Sequence, residues 1–366
     1  MTLKPPKAIN RLIRQGKTAD CFNAVSQLPD DSRPTIALIA TQKILERKRF
    51  SEAVEFAKGL GVPYHRIPIV VYALRFNRFD IAEEAVARDP RQIDTRPIGV
   101  RSFHALDSPL AQSLANLSNP ADKVSLKRID FCYAHGANAC LVNETTGLSP
   151  LNSTIKKYGA QHFDIVMRLL DYDPQALAIP DKSGLMPLNH SIKKITGLNS
   201  YGADLTRALL DRGALEYMTD LQREGATLKD PLFNCALREG SQAVIIACEL
   251  LKRGWPVAET TYQTMREQYR HTEIAHARHP IRTKAKADYD RMSAHLGILE
   301  IGRELERANE VVIDISLLSE RLEQLRDEIP AEAWDMLDGM VSDCAADLIS
   351  DYDSDEDYQL MRTFVA

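Results

Sequence analysis

Gly16-Lys17-Thr18 has the form of the end of a phosphate-binding loop, where backbone amides cradle phosphate and a lysine reaches it. Such a loop needs a glycine five residues before Gly16 and a strand ahead of it. Position 11 is arginine and no strand pattern precedes it, so that chemistry is rejected. His271, His276 and His279 form a second group. Their order lacks the His-Glu-x-x-His arrangement that puts two ligands on one helical face. The spacing from His276 to His279 could hold a metal, but the expected reading is a solvated helix that bears histidines. Cysteines stand at 21, 132, 140, 235, 248 and 344, matching neither a zinc pattern nor the signature of a cysteine nucleophile. Several occupy apolar helical positions, so reduced core thiols are expected and a disulfide framework is not. No Gly-x-Ser-x-Gly elbow is present. Neither a metal nor a cofactor is expected. Catalysis stays open only because triads are assembled by geometry and not by chain order.

The more informative chemistry is electrostatic, and it sits in a pattern written twice. Gly147-Leu148-Ser149-Pro150-Leu151-Asn152-Ser153-Thr154-Ile155-Lys156-Lys157 is answered by Gly184-Leu185-Met186-Pro187-Leu188-Asn189-His190-Ser191-Ile192-Lys193-Lys194. Each copy leads into a second apolar run, through Leu169-Leu170 and Leu209-Leu210. Poorer copies flank these two, so Pro109, Pro150, Pro187 and Pro231 are each followed by leucine at intervals of 41, 37 and 44 residues. Four residues after each proline stands a small side chain: Ser113, Thr154, Ser191 and Cys235. Paired helices need one there to approach closely. The units end in turns such as Asp211-Arg212-Gly213-Ala214 and Lys252-Arg253-Gly254-Trp255, where glycine fits a left-handed residue after the helix. One unit carries Asp173-Pro174 instead.

Residues 105–258 therefore resemble the ankyrin repeat, whose pattern runs Gly-x-Thr-Pro-Leu-His-x-Ala-Ala and ends its second helix Leu-Leu-x-x-Gly-Ala. The resemblance is degenerate, with asparagine in place of the histidine in the two clear units and a spacing above the family's 33 residues. The surplus is expected between the two helices, at 158–162 and 196–202. The resemblance implies stacked helical hairpins, and variable positions on the first helix lining a concave face. The matching positions here are Ser153, Lys156 and Lys157, then His190, Lys193 and Lys194, then Asn234 and Arg238. Two lysine pairs on hairpins stacked about 10 Å apart would form one cationic stripe.

The flanks complete an all-α expectation. Residues 1–104 read as helical hairpins, of tetratricopeptide-like or ankyrin-like plan or as an irregular bundle, with Arg49-Phe50 and Arg78-Phe79 opening two second helices 29 residues apart. Residues 259–350 read as a C-terminal helical cap on the repeats. A polar helix comes first, then a long stripe through Ile301, Leu305, Ala308, Val312 and Ile315 that resumes as Leu318, Leu322, Leu325 and Ile329. A last helix follows Pro330 and is expected to bury Trp334, Leu337, Met340, Val341 and Leu348. Residues 351–366 read as an acidic, flexible tail. The whole is a helical-repeat solenoid with helical ends.

Charge and composition bound the partners. No apolar run approaches the length of a membrane span, and Met1 leads directly into charged sequence without a secretory core, so a cytoplasmic setting is expected. The net charge of −5 hides an asymmetry: residues 300–366 hold 19 Asp and Glu against 5 Arg, leaving +9 on residues 1–299. Such a body attracts an acidic protein surface, or the chain's own tail. Interleaved aromatics are few, which argues against nucleic acid. The resulting expectation is a non-enzymatic interaction scaffold, an effector or adaptor by analogy with degenerate ankyrin-like proteins of bacteria and their viruses. The alternatives are an enzyme with its site where the repeats meet the C-terminal helices, or nucleic-acid binding by the basic body.

Overall fold

Proline and left-handed residues cut this chain into short helices, and both are visible in the backbone. The structure, a computed structural model, describes residues 7–97, 108–115, 117, 123–144, 146–196, 201–218, 223, 229–278, 283–308 and 315–350. Eighteen α-helices run through them, with no β-strand among the described residues. The fold is all-helical. Contacts divide it into two compact units, Met1–Ser183 and Gly184–Ala366.

The first unit contains five helical hairpins. They pair α1 (Lys7–Arg14) with α2 (Thr18–Ser26), α3 (Arg33–Leu45) with α4 (Phe50–Gly59), and α5 (Ile69–Arg75) with α6 (Phe79–Arg88). Then come α7 (Pro109–Ala115) with α8 (Lys123–Ala134), and α9 (Pro150–Tyr158) with α10 (Phe163–Tyr172). First helices pack side by side, α1 on α3, α5 on α7 and α7 on α9.

The first three hairpins share one turn. Gly16, Lys48 and Asn77 are left-handed, with φ of 77°, 61° and 59°. The next residues, Lys17, Arg49 and Arg78, have ψ of 70°, 66° and 70° and open the second helix. Their amides reach five residues back, Lys17 to the Leu12 carbonyl at 3.0 Å, Arg49 to Ile44 at 3.4 Å and Arg78 to Ala73 at 2.8 Å. Paired with the shorter bond of the residue before, this closes the last carbonyls of the first helix in the Schellman manner. Gly16-Lys17-Thr18 is thus the first in a series of such turns. Arg49 ties the second turn to the first, donating to the Gly16 carbonyl at 3.3 Å and to Thr18 Oγ1 at 3.0 Å.

Asp173-Pro174 also has a counterpart. The Asp89 and Asp173 carboxylates accept the amides of Arg91 and Gln175 at 3.1 and 3.0 Å, each opening a short 3₁₀ turn after its helix. Aspartate caps the new turn where glycine would otherwise end the old one.

The second unit begins with two more hairpins, α11 (Pro187–Ile192) with α12 (Tyr201–Asp211) and α13 (Pro231–Ala236) with α14 (Ser241–Lys252). Four longer helices follow: α15 (Glu259–Arg278), α16 (Thr283–Ala308), α17 (Ile315–Leu325) and α18 (Ala331–Ser350). Both α16 and α18 pack on α14, so the C-terminal helices share a core with the hairpins. Arg207 of α12 reinforces this, bonding Glu249 of α14 at 2.6 Å and Glu332 of α18 at 3.2 Å. Ile301, Leu318, Leu322, Leu325 and Ile329 are buried as their stripe requires, and Leu305 is half-buried. In the last helix Leu337 and Val341 are buried, but Trp334 and Met340 are only half-buried. Trp334 keeps its indole N–H near a helix end, 3.3 Å from the Leu322 carbonyl, with Arg326 over its ring. Val312, the Leu348 side chain and the tail from residue 351 lie outside the described residues. No described helix is long and apolar enough to cross a membrane.

The four Pro-Leu marks all open helices, where proline lacks only a donor that has no partner there anyway. The small residues one turn on are buried, and Ser113 and Thr154 donate to the carbonyls of Pro109 and Pro150 at 2.8 and 2.9 Å. Asparagine holds the loops together. The Asn152 amide donates to the Ile179 carbonyl at 2.7 Å, and the Asn189 amide donates to the Lys229 carbonyl at 2.9 Å. In each case one hairpin grips the loop that leads to the next. Gly147 and Gly184, both with positive φ, lie beneath the side chains of Lys182 and Lys229, so any side chain at either glycine would strike that lysine.

Candidate functional site

The first copy of the duplicated pattern is a two-turn helix with one face fixed. Ser149 Oγ caps it by accepting the Asn152 amide at 3.1 Å, and Leu151, Asn152, Thr154 and Ile155 are buried. Gly159 ends it at φ 58° and ψ −136°, a conformation that a side chain resists. The expected surplus at 158–162 is a 3₁₀ turn, Gly159–His162. What remains outside is Ser153, half-buried, with Lys156 and Lys157, both exposed.

The two lysines differ in their freedom. The Lys157 ammonium donates to the Ala115 carbonyl and lies 4.8 Å from the Tyr158 ring. The Tyr158 hydroxyl donates to the same carbonyl at 2.8 Å. Ala115 ends α7, so these two side chains satisfy a carbonyl that its own helix leaves open. Among the described residues Lys156 makes no hydrogen bond or ion pair.

The second copy departs from the first. Leu188 through Ile192 are all buried, and α11 stops at Ile192, so Lys193 and Lys194 fall in the turn after the helix. The Lys194 and Ile195 amides bond three residues back, to Ser191 at 2.8 Å and Ile192 at 3.0 Å, which tightens the chain into that turn. Gly202 permits it: a Cβ there would stand 2.5 Å from the Lys194 carbonyl. Both lysines are half-buried. His190, expected on the concave face, is 5% exposed. A helix this short, packed by α12 and α13, has no outer face at that position.

Asn234 is fully buried and donates to the Asp230 carbonyl at 2.9 Å, so it too leaves the expected surface. Arg238 is half-buried just beyond α13. The expected stripe thus reduces to Lys156 and Lys157 with Ser153 in the first unit. Lys193, Lys194 and Arg238 lie in the second.

Other candidate groups resolve into packing. His276 stacks on Tyr289 at 5.2 Å, His271 is exposed, and His279 lies outside the described residues. Among the described residues no group of three His, Cys, Asp or Glu side chains could hold a metal. The six cysteines are free. Burial, and then the neighbouring Asp173, push the Cys140 thiol up to about 12, opposite to what a nucleophile needs.

One polar centre gave no sequence signal. Asp230 is fully buried ahead of α13, and one carboxylate oxygen accepts the Leu232 amide at 2.9 Å and the Trp255 indole N–H at 3.1 Å. The other accepts the Thr261 hydroxyl. Burial raises its pKa against the pull of these donors. It locks α13, the turn after α14 and the start of α15 together, partners up to 31 residues distant. No protein-family model, curated protein or solved structure matches the chain.

Proposed function

We propose that the chain is a non-enzymatic helical-repeat scaffold, ankyrin-like in plan, that binds an acidic protein or peptide surface along the ends of its first helices. The observation that carries this reading is Lys156, exposed and without a hydrogen bond or ion pair among the described residues, on a helix whose other face is anchored by Leu151, Asn152 and Ile155. Beside it, Lys157 is a cation fixed in place by the Ala115 carbonyl. A pre-positioned charge loses little freedom on binding, which favours recognition over mere solubility. The repeated plan of proline start, buried small residue and asparagine clamp supports a stacked array. So does the side-by-side packing of α5, α7 and α9 within the first unit.

A fluorescent glutamate-rich peptide titrated into the full chain tests this reading. Lys156→Glu with Lys157→Glu is expected to weaken binding by about tenfold or more, because it reverses two charges at the contact. The melting temperature should move by no more than about 2 °C for Lys156→Glu alone, an exposed change. The pair Lys193→Glu and Lys194→Glu should weaken binding less, since half-buried ammonium groups offer less to a partner. Unaltered affinity in the first variant would remove the surface.

A further inference from the structure

Beyond the scaffold reading, and independent of it, the second unit contains a cleft of about 280 Å³ between α15, α16 and α17. Two helical faces form it. One presents positions 293, 296, 297 and 300 of α16, and the other presents 321, 324 and 325 of α17 with 328 in the turn that follows. Both sets step by three and four, the spacing that puts residues on one side of a helix. Gly297 sets how closely they approach, since a Cβ there would stand 2.5 Å from Leu325 Cδ2. Leu296 and Leu325 are buried and make an apolar floor.

The rim above this floor carries charges that no hydrogen bond or ion pair among the described residues uses. Among the described residues neither Arg321 nor Glu328 has a side-chain hydrogen bond or ion pair, whereas Arg291, Arg303, Arg307 and Arg326 each have one. Seven residues separate the two, roughly 10 Å along a helix axis. No ion pair joins them among the described residues. Tyr269 stands at the Glu328 end, its hydroxyl 3.0 Å from that of Tyr289. Glu300 also lines the cleft but already accepts the Tyr262 hydroxyl at 3.1 Å. A cleft with an apolar floor, a free guanidinium at one end and a free carboxylate at the other is complementary to a dipolar molecule.

We propose that this cleft binds a small dipolar ligand with a carboxylate held by Arg321 and Gln324 and an amine held by Glu328 and the Tyr269 hydroxyl, its aliphatic middle on Leu296 and Leu325. The cleft leaves room for a small molecule of about ten non-hydrogen atoms. An ω-amino acid of medium length or a dipeptide has that size and that separation of charge.

Calorimetric titration of the full chain with 4-aminobutyrate, 6-aminohexanoate, 8-aminooctanoate and glycylglycine tests the assignment, with hexanoate and hexylamine as single-ended controls. At least one dipolar probe is expected to bind saturably, about tenfold tighter than either control. Arg321→Gln and Glu328→Gln should each reduce that probe to the level of the controls, with the circular dichroism spectrum unchanged. Absence of saturable binding by every dipolar probe would overturn the proposal, and so would equal binding of hexanoate or hexylamine. The probe comparison on the unaltered chain stands even if a variant misfolds. The lysine variants of the first unit should leave this binding unchanged.

Discussion

His295 lies in the middle of α16, 2% exposed, and its Nε2 has no partner among the described residues. Burial, with the Arg291 guanidinium adding to it, pushes the imidazole down to about 4. A base whose folded pKa is depressed stays neutral in the fold while the unfolded chain takes up a proton. Below about pH 6.5 the unfolded state therefore binds more protons, and stability falls with pH until the folded imidazole titrates near pH 4. The loss over that window amounts to roughly 3 kcal/mol. Many carboxylates titrate in the same range, so the comparison must isolate this group. His295→Gln is expected to cost stability at pH 7 and then to close on the parent by about 1.4 kcal/mol per pH unit below 6. Urea unfolding of both proteins at pH 7, 6 and 5 measures it. Parallel pH dependences would show that the imidazole is not held neutral.

At the scale of elements, two buried asparagines hold loops to their hairpins. Asn152 and Asn189 are fully buried, and each bonds a loop carbonyl 27 or 40 residues away. Replacing either by alanine removes a bond to a part-buried carbonyl, at a cost of about 1 kcal/mol. Lys156→Ala, an exposed change on the same helix, should stay within about 0.5 kcal/mol. Chemical unfolding that ranks all three alike would refute the clamp. The helices themselves were legible because their signals are local. Pro109, Pro150, Pro187 and Pro231 start helices through a fixed φ and a missing donor, and the Arg-Phe pairs at 49 and 78 follow residues forced into one left-handed turn. The burial of His190 was not legible, because it depends on where α11 stops and on what packs against it. Asp230 and the cleft escaped for the same reason: Trp255, Thr261, Arg321 and Glu328 acquire meaning only from chain segments far from one another. Lys157 was legible as a surface cation, but its bond to the Ala115 carbonyl was not.

The whole molecule divides its charge as it divides its contacts. Met1–Ser183 holds 25 Lys and Arg against 19 Asp and Glu, a net of +6. Gly184–Ala366 holds 21 against 32, a net of −11. A chain with a basic unit and an acidic unit can meet a second copy head to tail, a contact of unlike surfaces that does not close on itself. At about 20 mM salt such fields extend over more than 10 Å, and at 1 M they are screened within about 3 Å. Sedimentation at low salt is therefore expected to show association that grows with protein concentration and disappears at 1 M. Residues 351–366 contribute −4 of the acidic charge, so removing them should weaken the association without abolishing it. Lys156→Glu with Lys157→Glu takes the basic unit from +6 to +2 and should weaken it further if those lysines form the contact. A concentration-independent monomer at both salts would mean that the charge division serves an acidic partner other than the chain itself.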